Sequence, residues 1–153
     1  MSDRISEHVS FKEGIKSHTA TRLNIDNAPS DLDLVNMKII AEKVFEPLRE
    51  FVGGPIAINS FYRSPKLNSA IGGSTSSQHC SGRALDIDDK YGYKTNAEMF
   101  KYIQCNLDYD QMIWEFGDVN NPDWVHVSYV SEDVNRRRCL IAYKENNKTK
   151  YKV

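Results

Sequence analysis

The order of patterns along this chain predicts an α+β fold built on a small central, mostly antiparallel sheet, with helices packed on one side. Two observations carry that expectation. Helical periodicity is concentrated in residues 30–52 and 96–105, and most of the chain from residue 56 onward reads as short alternating strands separated by turns. Length adds a third: 153 residues with 40% hydrophobic and 27% charged side chains make one globular domain able to bury its own core.

Residues 1–29 form an N-terminal segment of mixed polarity, anchored by Val9, Phe11, Ile15, Leu23 and Ile25. A short helix is expected over Phe11 to Ser17 with Ser10 as its N-cap, followed by loop up to Ala28-Pro29. The main helix is expected over residues 30–52. Ser30-Asp31-Leu32-Asp33 has the form of a capping box, and Leu34, Met37, Ile40, Ala41, Val44, Phe45, Leu48 and Phe51 recur at helical spacing. Pro47 lacks an N–H and should kink or divide this helix, which Gly53-Gly54-Pro55 then ends. Strands are expected at Ile56–Ile58, Ala84–Asp88, Asp110–Phe116, Trp124–Tyr129 and Leu140–Tyr143, with a helix over Asn96–Cys105. The sheet and its site thus occupy residues 56–143, and residues 144–153 form a basic tail.

Charge and cysteine usage narrow the function classes. The net charge is −1, which argues against a strongly basic nucleic-acid binder, although residues 136–153 carry seven Lys/Arg against one Glu. Three cysteines without a CxxC pair indicate neither a disulfide framework nor a cysteine zinc knuckle, and reduced thiols fit best. Membrane spanning is not expected, because no apolar run reaches the roughly 18–20 residues a bilayer requires. The N-terminus lacks a signal peptide's layout, so synthesis in a cytoplasm is expected.

Two of the four histidines stand in unusual surroundings. In Ser77-Gln78-His79-Cys80-Ser81-Gly82-Arg83-Ala84-Leu85-Asp86 an imidazole is followed seven residues on by a carboxylate opening a strand, with Gly82 allowing a tight turn between them. His126 lies inside the strand Trp124–Tyr129. His79, Asp86 and His126 suit one Zn²⁺ with a fourth position left open, the layout of a catalytic zinc site. A general base is then needed. Glu115, a lone carboxylate in an apolar strand, is favoured, and Asp123, which a turn alone would explain, is the second candidate. Arg63, just after the first strand, offers a rigid fork of donors to a substrate carboxylate or carbonyl. Cys80 neighbours His79 but points away from it in an extended segment, so an inert thiol is expected.

These segments together resemble the zinc D-alanyl-D-alanine carboxypeptidase-like murein peptidases, which share a superfamily with the hedgehog signalling domain. Ser77, His79, Gly82, Ala84 and Asp86 meet an S-x-H-x-x-G-x-A-x-D motif, and Ser60, Tyr62, Arg63, Ser64, Pro65, Leu67 and Asn68 meet S-x-Y-R-S-P-x-L-N. Gly72-Gly73, the strand around His126 and the stretch from Phe11 to Pro29 are also similar. The resemblance implies a hedgehog/DD-peptidase-like fold with a zinc cleft, and His79, Asp86 and His126 as zinc ligands. Arg63 would bind and polarise the substrate, with Tyr62 and Ser77 as further substrate contacts. The base would be Glu115 in the hedgehog-like arrangement, or Asp123 in the one that places an acid three residues before the last histidine. Some relatives carry another histidine where this chain has Trp124.

The implied activity is zinc-dependent hydrolysis of peptidoglycan stem peptides or cross-links, of D-Ala-D-Ala or L-Ala-D-Glu type, with the choice open. Zinc held by His79, Asp86 and His126 would acidify the attacking water, and the base would take its proton and return it to the leaving amine. The expected setting is a monomeric phage or prophage lysis enzyme that meets the wall after release or as a virion component, with neither nucleic acid nor membrane as partner. A catalytically silent zinc-containing binding module is the rival from another class. A weaker one is nucleic-acid binding through Arg136-Arg137-Arg138 and the lysine-rich tail.

Overall fold

A computed structural model describes residues 4–153. The described residues open with a small antiparallel pair, β1 (Arg4–Ser6) and β2 (Val9–Ser10), in the N-terminal segment of mixed polarity. Ser10 then caps α1 (Phe11–Ile15) in a full capping box with Glu13. This helix stops two residues short of Ser17 because Ser17 caps a second one. The Ser17 Oγ accepts from Ala20 N at 3.1 Å and starts α2 (His18–Leu23), where a loop was expected.

The main helix begins as its sequence implies. Ser30 Oγ accepts from Asp33 N, and the Asp33 carboxylate accepts from Ser30 N. It runs as α3 (Asp31–Ile40), a π-helical turn at Ala41–Phe45, and α4 (Glu46–Val52). Pro47 does not divide it. The wider π turn precedes the proline, whose ring would otherwise clash with the turn before it and whose missing N–H leaves a carbonyl of that turn without its usual donor, and the helical path continues to Val52. Gly53, at φ 77°, closes the helix by donating to Arg49 O. Phe51, expected in the buried stripe, lies at its edge and stacks on Tyr102 of α6 (Asn96–Asn106), with ring centroids 4.1 Å apart.

The remaining elements are β3 (Ala57–Ser60), α5 (Pro65–Ala70), β4 (Ala84–Asp88), β5 (Gln111–Glu115), β6 (Trp124–Ser128), β7 (Arg138–Glu145) and β8 (Lys148–Lys152). The sheet order is β3-β4-β6-β5-β7-β8, antiparallel throughout except for the parallel pair β5 and β7. The sheet therefore runs past residue 143 and takes in most of the basic tail. Asn146 and Asn147, both at positive φ, form the two-residue turn between β7 and β8.

Strand alternation divides the sheet into two faces. Leu85, Ile87, Met112, Val125 and Val127 join Met37, Ile40, Val44, Leu48, Met99 and Ile103 of the helices in one core. Asp86, Ile113, Glu115, Trp124 and His126, one residue out of phase in their strands, line a cleft on the other face. No helix of the described residues is long and apolar enough to cross a membrane.

Candidate active site

The antiparallel pairing of β4 and β6 sets Asp86 directly opposite His126. Their side chains meet, with His126 Nδ1 2.9 Å from Asp86 Oδ1. His79 arrives on a 3-10 turn, Gln78–Ser81, started by Ser77, whose Oγ accepts from His79 N at 3.2 Å. Gly82 returns the chain to β4 at φ 73°, pressed against α3: a Cβ there would stand 2.5 Å from Asp33 O and 2.6 Å from Met37 Cγ. Only glycine meets both conditions, which accounts for its place between the two ligand candidates.

The orientation of His79 is fixed from behind. Its Nδ1 lies 2.7 Å from the Phe61 carbonyl, so Nδ1 carries the proton and donates it, leaving a lone pair on Nε2. Nε2 is buried, sits 3.3 Å from Asp86 Oδ1, and makes no hydrogen bond. A buried nitrogen without a partner is costly, and a metal ion removes that cost. Ligand atoms of His79, Asp86 and His126 all lie within 4.8 Å of one another, so the residues present fit one zinc ion. Burial holds the His79 imidazole below its ordinary pKa against the pull of Asp86, favouring the neutral form a metal needs. Burial alone would raise the Asp86 carboxyl, but the two histidines hold it well below the usual carboxylate range.

The cleft has a volume of about 900 Å³, and Arg63, Ser77 and Glu115 line it together with the triad. Glu115 is only 8% exposed, and its carboxylate makes no hydrogen bond or ion pair among the described residues. Burial pushes its pKa up to about 7, opposed by His126 and assisted by Asp86. Among the described residues Arg63 has no carboxylate partner, and its Nε is buried without a hydrogen bond. Its backbone N–H donates to His79 O at 3.1 Å, tying the two motifs together.

Two candidates fall elsewhere. Asp123 is exposed in the β5–β6 connection and is not among the residues lining the cleft. Tyr62 is 4% exposed and belongs to the helix-side core, where burial and the nearby Asp33 push its hydroxyl up to about 12. Tyr62 therefore has no surface from which to contact a substrate, which corrects the expectation drawn from its motif position. Its neighbour Arg63 turns to the cleft instead. Cys80 is half-buried with its thiol pKa raised by burial, against an attacking thiolate.

Several contributors were not legible from spacing. The Phe61 carbonyl is one, because any residue supplies a carbonyl. Asp110 is another. This buried carboxylate accepts two bonds from the Arg136 guanidinium and one from Gln78, fastening the His79 turn to the start of β7. Trp124, paired at 5.5 Å with Phe116, forms part of the wall, and Lys144, Thr149 and Tyr151 reach the cleft from β7 and β8. A second set of possible ligand atoms, in Glu7, His8 and Glu46, lies on the surface. There the Glu46 carboxylate is already satisfied by Ser6 Oγ and by His8 N and Nδ1.

Comparison with known proteins bears on the same residues. No curated protein matches the chain. A family model described as peptidase M15 matches residues 7–128. That stretch runs from β2 through β6, takes in Arg63, His79, Asp86, Glu115 and His126, and covers most of the chain, so this protein belongs to the peptidase M15 family.

Proposed function

We propose that this peptidase is zinc-dependent and hydrolyses peptide bonds of bacterial peptidoglycan, in stem peptides or their cross-links. The observation that carries the reading is the orphaned Nε2 of His79, aimed at Asp86 and His126 in a cleft that also holds an unpartnered carboxylate. His79, Asp86 and His126 would hold the ion, which supplies Lewis acidity to polarise a carbonyl and acidify water. Glu115 accepts a proton from the attacking water and delivers it to the departing amine, work for which a carboxyl whose pKa burial has raised is suited. Arg63 orients the substrate and stabilises negative charge developing on the carbonyl oxygen. Asp123, exposed and away from the cleft lining, is the less favoured base. The expected setting, a phage or prophage lysis enzyme, belongs to the same proposal.

The test is to incubate zinc-loaded protein with peptidoglycan sacculi, with and without a chelator, and to identify released fragments by mass spectrometry. Chelator-sensitive release of peptides is expected, and the fragment masses name the bond as D-Ala-D-Ala or L-Ala-D-Glu type. Intact peptides from folded, zinc-bound protein across several wall types would overturn the reading in favour of a silent binding module.

A further inference from the structure

The family match ends at residue 128, yet the cleft does not. Its far wall is the β7–β8 hairpin. Pairing across the sheet aligns Trp124, Glu115, Ala142 and Tyr151 in one row, so Tyr151 faces Glu115 over the small side chain of Ala142. The next row pairs Lys144 with Thr149 on the same face. The basic segment thus has two sides. Lys148, Lys150 and Lys152 alternate away from the cleft, while Thr149 and Tyr151 turn toward it.

Lys144 is the distinctive group on this wall. Arg136, the other cation that the segment brings to the cleft, is tied to Asp110, and neighbouring Arg137 and Lys150 are tied to Asp108 and Glu145. No carboxylate of the described residues pairs with Lys144. Its Nζ donates to Thr149 Oγ1 at 2.9 Å and lies 5.5 Å from the centre of the Phe116 ring. Phe116 holds a left-handed backbone, at φ 58°, immediately after Glu115. The ammonium is therefore positioned by neutral groups and keeps its charge for something else.

We propose that Lys144, oriented by Thr149 and Phe116, receives a free carboxylate of the substrate peptide away from the scissile bond, so that the β7–β8 hairpin selects for acidic peptides. This deepens the peptidoglycan reading and rests on it. Stem peptides carry such carboxylates, on the γ-linked D-Glu and, in many walls, on a diamino acid. The span is suitable. Lys144 lies two strands across and four residues along from His126, about 10 Å by about 13 Å, or about 16 Å between Cα atoms. The Lys144 and His126 side chains both project into the cleft and close part of that distance, so a carboxylate about two or three residues from the scissile bond comes within reach of Nζ.

The test compares stem peptides bearing free carboxylates with versions amidated at the D-Glu or at the diamino acid. Each is assayed with zinc-loaded wild type, Lys144→Met, Lys144→Arg and Thr149→Val. Wild type should prefer the free acid by about tenfold or more in kcat/KM, and amidation at one of the two positions should remove the preference. Lys144→Met should bring the ratio to about one, Lys144→Arg should keep it, and Thr149→Val should fall between. Equal use of acid and amide by wild type, or an undiminished preference in Lys144→Met, overturns the proposal. If wild type cleaves neither peptide, the peptidase reading fails separately. Calorimetric binding of the same uncleaved peptides to wild type and Lys144→Met then decides this inference by the same ratio.

Discussion

Replacing Glu115 by glutamine should separate stability from turnover in opposite directions. The carboxyl titrates near 7 instead of 4.5 because burial penalises its anion, so the folded chain holds this proton more tightly than the unfolded chain does. Below pH 4.5 both states are protonated and folding carries no penalty. Above about pH 7 both have lost the proton, and the folded state bears the whole cost of a buried anion. At 1.36 kcal/mol per pH unit, the interval between 4.5 and about 7 amounts to about 3 kcal/mol. Glutamine has nearly the same shape and is neutral at every pH. Metal-free Glu115→Gln should therefore match wild type near pH 4 and exceed it by up to about 3 kcal/mol at pH 8.5, on the order of 6–12 °C in Tm for a chain of this size. Thermal melts of both proteins at the two pH values measure it. Zinc-loaded Glu115→Gln should meanwhile lose about 10²–10⁴-fold in kcat, the usual worth of a general base. Wild-type turnover should fall as pH drops through 7 and Glu115 takes up its proton, with bound zinc moving that midpoint lower. A stability difference that does not grow with pH would refute the burial argument. Full turnover by Glu115→Gln, with the loss appearing in Asp123→Asn, would move the base to Asp123.

Gly82→Ala forces a side chain into a left-handed backbone 2.5 Å from Asp33 O, a cost of about 1–2 kcal/mol for the backbone alone. Calorimetry should find a lowered Tm, and zinc titration a weakened affinity, because the His79 turn is displaced. An unchanged Tm would mean that the turn is not pressed on α3. Arg63→Lys keeps the charge but loses the planar fork, and should lower kcat/KM by about 10–100-fold without changing zinc content. Equal kcat/KM in steady-state assays would remove Arg63 from substrate recognition.

Much of the fold was readable because local rules and tertiary packing agree. The Ser30–Asp33 box, the apolar stripe from Met37 to Leu48, the αL stop at Gly53 and the alternation Ala84–Asp88 each recur in the structure as residue type implied. The failures have specific physical causes. α2 begins at a second serine cap, Ser17, that no strong apolar period announces. β8 was hidden because all its residues are exposed and its Lys-Thr-Lys-Tyr-Lys pattern buries no apolar face. A π turn ahead of Pro47 is a tertiary accommodation that composition does not foretell. At the site, His79, Asp86, His126, Glu115 and Arg63 were singled out from their types, their neighbours and the family resemblance, and the structure places all five around one cleft. Tyr62 was misplaced because a motif names positions without saying which way each side chain points. The hairpin wall was missed because parallel pairing of β5 with β7 joins residues that no local spacing relates.

Zinc binding itself tests the central claim most directly. Metal-free wild type and its His79→Ala and His126→Ala variants would be titrated with zinc by calorimetry, with bound metal counted by elemental analysis and folding followed by circular dichroism. The account predicts one zinc per wild-type chain, and binding weakened by orders of magnitude in each folded variant. Folded wild type that takes up no zinc, or variants that bind it as tightly as wild type, would contradict the assignment of His79, Asp86 and His126 as the metal site.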